Sequence, residues 1–453
     1  MIKFHQLAGA TLGFLLVPIW SNAQSQLDRY IQEGLANNTV LQQKQINIQK
    51  ALIDLQVAKS NFLPTVNFSG SFSTAQGGRY SSLPIGDLLN PVYASLNQMS
   101  GTNSFPQIEN QEINFLPKNY YDAYIRTSVP ILNTDLIYAK RIVEQQTVMS
   151  QLDVNSYKRQ LVNDIKVAYF NYLSAMEAIK VYKNALLVLD KNVALNEALF
   201  ANGKGLQASV LRSKSERETL RSQLIQADNQ QLNAQYYFNF LLNKELKSPI
   251  EVESVSPNLD ATSTDVSKRE ELAMLQQAKT IQETVVRMNE HFWVPKLNAF
   301  MDLGSQGTDW EISSKSRYYM VGVSLSVPIF NGNRNTQKIK LSEWNLKQSE
   351  LVIQQTTQQL TLSVQLALND LSTASSNYES ALMQLEAAKA YFNLINGSYT
   401  EGISTEIEFI DATSQLTQAE LQVVILQQQV NVAIANLERQ TATYPIQEPT
   451  KTN

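Results

Sequence analysis

Cysteine is absent from this 453-residue chain, so it can build no disulfide, no thiolate metal site and no cysteine nucleophile. Histidine occurs only as His5 and His291, which makes a Ser-His-Asp triad hard to assemble. Glycine and proline are scarce, at 16 and 13 residues, a composition that favours long uninterrupted elements. Charged residues make up 17% of the chain and the net charge is −4. With no basic patch, nucleic acid is not an expected partner. Beyond residue 23 no stretch approaches the roughly 20 apolar residues of a membrane helix, so any spanning falls to strands. P-loop, GxSxG, HExxH and dinucleotide fingerprints are missing, and no enzymatic role, cofactor or metal is expected.

What is present begins with MIKFHQLAGATLGFLLVPIWSNA (1–23). Lys3, an apolar run and the small-x-small ending Ser21-Asn22-Ala23 read as a cleaved signal peptide, which makes this an exported protein. The remaining chain repeats itself. VPIL (129–132) returns as VPIF (327–330), with Pro130 and Pro328 198 residues apart, and Gly203 and Gly402 are 199 apart. Each copy reads helix, strand, strand, long helix, helix. The first repeat is expected over 24–242, with strands at about 62–73 and 119–131 and long helices over 133–200 and 206–242. A linker follows at 243–265. The second repeat covers 266–440, with strands at about 294–304 and 316–329 and long helices over 334–396 and 404–440, before a flexible tail at 441–453. The polar insert at 74–118 has only a short counterpart at 305–315.

The long helices carry a seven-residue period. Leu416, Ala419, Val423, Leu426, Val430, Ala433 and Leu437 alternate steps of three and four, and Leu161 to Val193 behave alike. That is a coiled-coil seam, and a strict heptad supercoils helices left-handed around their neighbours. About 60 residues at roughly 1.5 Å each make a rod of about 90 Å. Many seam positions are alanine, which suits helices side by side in a wall wetted on one face. An ordinary bundle core shares the periodicity.

The strands alternate with period two. Tyr319, Val321, Val323, Leu325 and Val327 oppose Tyr318, Met320, Gly322, Ser324 and Ser326. A soluble sheet with one buried face fits this, and so does a membrane barrel with lipid on the apolar side and water on the other. Four strands cannot close a barrel alone, and open edges are not tolerated in lipid. If these strands span, several copies share one barrel.

The duplication, the LP and VP dipeptides around the strands, VPIFNGNRN before a long helix and SYTEGISTEIEFIDATSQLTQAELQ (398–422) together resemble the TolC-type outer-membrane efflux protein family (outer membrane factors). The resemblance covers about residues 25–440. It implies a mostly α fold with membrane β structure: a homotrimeric twelve-stranded outer-membrane β-barrel continuing into a twelve-helix periplasmic coiled-coil α-barrel. It implies a passive exit duct of a tripartite efflux or type I secretion system in the outer membrane of a Gram-negative bacterium. The implied partners are outer-membrane lipid, a periplasmic adaptor (membrane fusion) protein and an inner-membrane pump of RND or ABC type. The alternative is a periplasmic coiled-coil adaptor or structural protein without a pore.

Carried over residue by residue, Pro130 and Pro328 mark strand-to-helix turns. Gly203, Lys204, Tyr399, Gly402 and Ser404 belong to tip turns that meet the adaptor. Glu408 and Asp411 match acidic positions lining the pore constriction. Their spacing puts both on one helix face, although an acidic pair in a first turn also favours the helix dipole without any pore. Tyr399 matches a tyrosine that ties adjacent tips. The Arg and Asp completing that latch are replaced by Ser404 and Ser209, with Lys204 or Arg212 as candidate substitutes, and simple packing is the other role open to Tyr399.

Overall fold

A computed structural model describes residues 25–116, 118–253 and 264–446. The expected signal peptide, most of 254–265 and the end of the tail lie outside these residues. In chain order the elements are α1 (Gln26–Asn37), α2 (Thr39–Ser60), β1 (Thr65–Ser73), β2 (Tyr80–Leu83), α3 (Ile85–Ser100), β3 (Gln111–Asn114), β4 (Tyr120–Leu132), α4 (Thr134–Ala201), α5 (Gln207–Leu241), α6 (Glu270–Glu290), β5 (Lys296–Thr308), β6 (Arg317–Ser326), α7 (Arg334–Thr400) and α8 (Glu406–Thr441). The chain divides into two compact units: one of residues 1–47, 150–275 and 352–453, the other of 48–149 and 276–351.

The helical unit packs along the seams read from the sequence. Val364, Ala367 and Leu371 of α7 bury against Val430, Ala433 and Leu437 of α8, and Ala185 and Leu189 of α4 against Leu220 of α5. Tyr30 of α1, Tyr169 of α4 and Phe238 of α5 form a buried aromatic cluster, Tyr30 meeting Phe238 edge-on at 5.1 Å. Gly34 lets α1 approach: a Cβ there would stand 2.4 Å from Ile165 Cδ1. The first repeat opens with two helices rather than one. Asn38 breaks them, capping α2 through Leu41 N–H at 3.0 Å and donating to Leu241 O at 3.0 Å.

A charged lattice ties α6 to α4 and α8. Arg159 binds Glu270 through Nε and Nη2, and Glu271 accepts from Arg269 and Arg439. Burial pushes the Glu271 carboxyl up, but the two guanidinium groups overcome it and hold it at about 2. Because this folded value lies below the unfolded one, its stabilisation is present above about pH 4.5 and drains away towards pH 2. Glu271→Gln is therefore expected to lower the thermal midpoint of helix loss at pH 7, with the gap to wild type closing between pH 4.5 and 2. A pH-independent gap would contradict this.

The other unit carries a four-stranded antiparallel sheet in the order β1-β4-β5-β6. Its register aligns the apolar residues across all four strands. Phe68, Ile125, Leu303 and Tyr319 form one row, and Val66, Thr127, Met301 and Val321 another. The side chains of Val66, Phe68, Tyr319, Val321, Val323 and Leu325 stand exposed on that face.

Two expectations need correction here. Pro130 does not lie at the strand-to-helix turn but inside β4, opposite Asn298, where the register shifts between Pro130 and Leu132. A residue without an N–H fits such an irregularity. The turn itself is Asn133, whose Oδ1 accepts from Asp135 N–H at 3.1 Å. The last strand stops at Ser326 rather than 329, leaving Pro328 in the non-strand link to α7. The 74–118 insert, whose conformation the sequence left open, forms a β2–β3 hairpin carrying α3.

Candidate functional site

Two hairpin tips repeat one chemistry. Helix α4 ends with Gly203 N–H bonded to Phe200 O and Lys204 N–H to Leu199 O, both at 2.9 Å. Helix α7 ends with Gly402 N–H on Tyr399 O at 3.0 Å and Ile403 N–H on Ser398 O at 2.8 Å. These are paired Schellman bonds, which need a left-handed residue after the helix. Gly203 and Gly402 supply it with φ of 68° and 79°. Any side chain there would be strained, even though a Cβ would meet open space.

Within the helical unit, a buried polar cluster joins the α7–α8 tip to α4. The Tyr399 hydroxyl bonds to Glu406 Oε2 and lies 3.1 Å from Asn196 Oδ1. Glu406 Oε2 also accepts from Asn192 Nδ2 at 3.2 Å and Asn196 Nδ2 at 2.9 Å. Its other oxygen, Oε1, is buried without a partner, and no cation pairs with the carboxyl among the described residues. Burial, then the Glu406 carboxyl, pushes the Tyr399 hydroxyl up to about 12, so it stays protonated. The Tyr399 ring stacks on Phe409 at 4.7 Å. Tyr399 therefore both packs and bonds, using partners the sequence reading did not single out.

Glu408 and Asp411 are exposed on α8, separate from that cluster. Glu408 completes a capping box with Thr405: Thr405 N–H donates to Glu408 Oε2 at 2.7 Å, and Glu408 N–H to Thr405 Oγ1 at 3.3 Å. The backbone bond, then the Thr405 hydroxyl, holds the Glu408 carboxyl below the usual carboxylate range. Asp411 accepts from Gln415 at 2.7 Å. The two carboxylates thus keep a shared exposed face while one of them also caps the helix. Ser404 N–H bonds to Ser398 O at 3.2 Å. Lys204 and Arg212 are exposed and make no ion pair with the α7–α8 tip among the described residues.

The sheet's second face is polar and aromatic. Arg126 grips Asp302 on the adjacent strand, with Nε–Oδ1 at 2.7 Å and Nη2–Oδ2 at 2.6 Å. Its guanidinium lies 5.1 Å from both the Tyr124 and Phe300 ring centres. Tyr318 donates to Asp122 at 3.1 Å. Trp293 and Trp310 flank β5 at its two ends, and Trp310 stacks on Tyr121 at 5.2 Å and Phe72 at 5.4 Å. One face for hydrocarbon, one for water and aromatic side chains at the ends is how a strand set crosses an outer membrane.

The comparisons with known proteins agree with this geometry. The profile of a family described as "Outer membrane efflux protein" matches residues 30–243 and 266–443. The chain is 23% identical over 428 residues to the toxin and drug export protein A of Aggregatibacter actinomycetemcomitans, spanning 90% of this chain and 84% of that one. Among solved structures, CusC, described with its transmembrane channel formation, superposes with a TM-score of 0.75 at 16% identity, covering 92% of each chain. The open state of the MtrE outer membrane channel of Neisseria gonorrhoeae gives 0.72 at 16% identity, covering 92% of this chain and 88% of that one.

Proposed function

We propose, on the premise that this chain belongs to the outer membrane efflux protein family, a mechanism by which it acts as an outer-membrane exit duct with a large periplasmic part. The family is one of channel and transport proteins, whose members work as trimers with adaptor proteins and inner-membrane pumps. In our reading three copies of the four-stranded sheet close a barrel of twelve strands, and their long helices form a periplasmic α-barrel. The duct conducts passively: the pump, of RND or ABC type, supplies energy and selects cargo. Passage rather than chemistry is the role proposed. The observation that carries this is the sheet, whose aligned apolar face and two open edges, β1 and β6, have no use in a lone soluble chain. The adaptor alternative has no use for such a face.

In this reading the tip loops 200–208 and 398–405, including Gly203, Lys204, Tyr399, Gly402 and Ser404, meet the adaptor. Glu408 and Asp411 line the constriction as two acidic rings of three, which favour cations. Purified protein should run as a heat-sensitive trimer in detergent and conduct in planar bilayers. Glu408→Gln with Asp411→Asn should reduce cation preference there. Glutamine can replace glutamate in a capping box, so the pair removes charge while sparing the helix start. Unchanged selectivity would take both residues out of the gate, and a monomer that needs no detergent would end the duct reading.

A further inference from the structure

In the insert between β1 and β4, helix α3 has one flank held by hydrogen bonds and one left bare. Helix α3 is zipped along one flank by side chain–backbone bonds to the stretch of chain after it. Asn90 Nδ2 donates to Ile108 O at 3.0 Å and Asn90 Oδ1 accepts from Ile108 N–H at 2.9 Å. Asn97 repeats this with Phe105 at 2.8 and 3.1 Å. Asp87 closes the series, its N–H bonded to Asn110 Oδ1 at 3.1 Å and its carboxylate to Asn110 Nδ2 at 3.0 Å. The Tyr93 and Phe105 rings meet at 5.7 Å on the same flank.

On the opposite flank, Leu88, Leu89, Val92, Leu96 and Met99 fall within one arc of helical periodicity. All are exposed, Leu88 to 69% and Met99 to 86%. A sustained apolar stripe on a helix already fixed in place is a contact surface awaiting its occupant.

We propose that this stripe packs against the insert of the neighbouring copy, so that three α3 helices join into a collar at the extracellular mouth. The inference rests on the reading that three copies close the barrel. The insert hangs from the end of β1, an edge strand, so it stands at the seam where copies must meet. It leaves the sheet at the end opposite α2 and α4, which attach at Thr65 and Leu132. The helices are periplasmic, so the insert is outside. Lipid is the other candidate surface, but helices lying on charged membranes carry Lys or Arg on their polar face. Helix α3 has neither, its one charge being Asp87, and its polar flank is already spent on the zipper. A second α3, equally apolar and already folded, needs no backbone ordering to meet it.

The absence of native cysteine makes the test direct. Met99→Cys in full-length protein, kept in outer membranes and treated with a short bismaleimide, should shift from monomer to covalent dimer on denaturing gels. One thiol per copy permits one bridge, so the dimer is the expected product even within a trimer. Adding Leu88→Asn and Val92→Ser should abolish that shift. A heat-sensitive trimer on unheated gels without cross-linking would overturn the collar and leave the duct reading standing. Loss of the trimer itself in the unsubstituted protein would overturn both. A thiol in Met99→Cys that is shielded from water-soluble maleimide yet not cross-linked would assign the stripe to lipid and also overturn the collar.

Discussion

Replacing Val321 by arginine is expected to remove the protein from the outer membrane. Val321 sits near the middle of β6, exposed on the apolar face and directly opposite Met301. A cationic side chain at the midplane of a barrel's lipid face costs about 2–4 kcal/mol, and a trimer incurs it three times, for about 6–12 kcal/mol. That is comparable with the whole stability of a typical folded domain, about 5–15 kcal/mol. The measurement is the amount of heat-sensitive trimer in sedimented outer membranes. Ser324→Arg, three residues along and facing the other way, is the matched control and should assemble. Equal loss from both substitutions would mean the β6 faces are assigned wrongly.

The second large effect belongs to the tip. Glu406→Ala leaves the Tyr399 hydroxyl and the Asn192 and Asn196 amides without their common acceptor in a buried site. Each stranded polar group costs about 1–3 kcal/mol, so the bond network joining the α7–α8 tip to α4 should fail in every copy. The expected result is higher single-channel conductance together with new protease cleavage within 398–405. Glu406→Gln keeps an acceptor of the same shape and should fall between wild type and alanine. Unchanged conductance and unchanged cleavage in Glu406→Ala would show that the cluster does not hold the tip.

Much of this was legible from period and turn chemistry. Heptad positions such as Leu189, Val430 and Leu437 are buried as the seam requires, because a seven-residue repeat keeps one stripe of each helix turned towards a neighbouring helix. Gly203 and Gly402 announced the hairpin tips because the left-handed residue that closes a helix is most often glycine. What stayed hidden depended on contacts distant in sequence. Glu406 and Glu408 are two residues apart and so point to different sides of α8; the family resemblance drew attention to the exposed one, while the buried one holds the network. One signal was present. Continuing the α4 seam from Leu186, Leu189 and Val193 lands on Asn196, a carboxamide at 5% exposure where an apolar residue belongs. Helix α3 was not read from the sequence: it lies in the 74–118 insert, whose short counterpart at 305–315 offers no repeat to compare it with, and it contains Pro91, which disfavours a helix interior. The zipper to Phe105 and Ile108 that uses its asparagines cannot be inferred from local pattern. Pro130 misled for the opposite reason, since a register irregularity can host a proline within a strand.

The two unpaired edges of the sheet bear on biogenesis as well as on the finished pore. A freshly exported copy in water offers β1 and β6 as bare templates, and such templates recruit any passing strand. Productive meeting requires two further molecules, whereas mispairing requires only one, so crowding of unassembled material favours the wrong outcome. Synthesis rate, and whatever escorts newly made chains to the bilayer, therefore bear on yield alongside the intrinsic strength of the mature assembly.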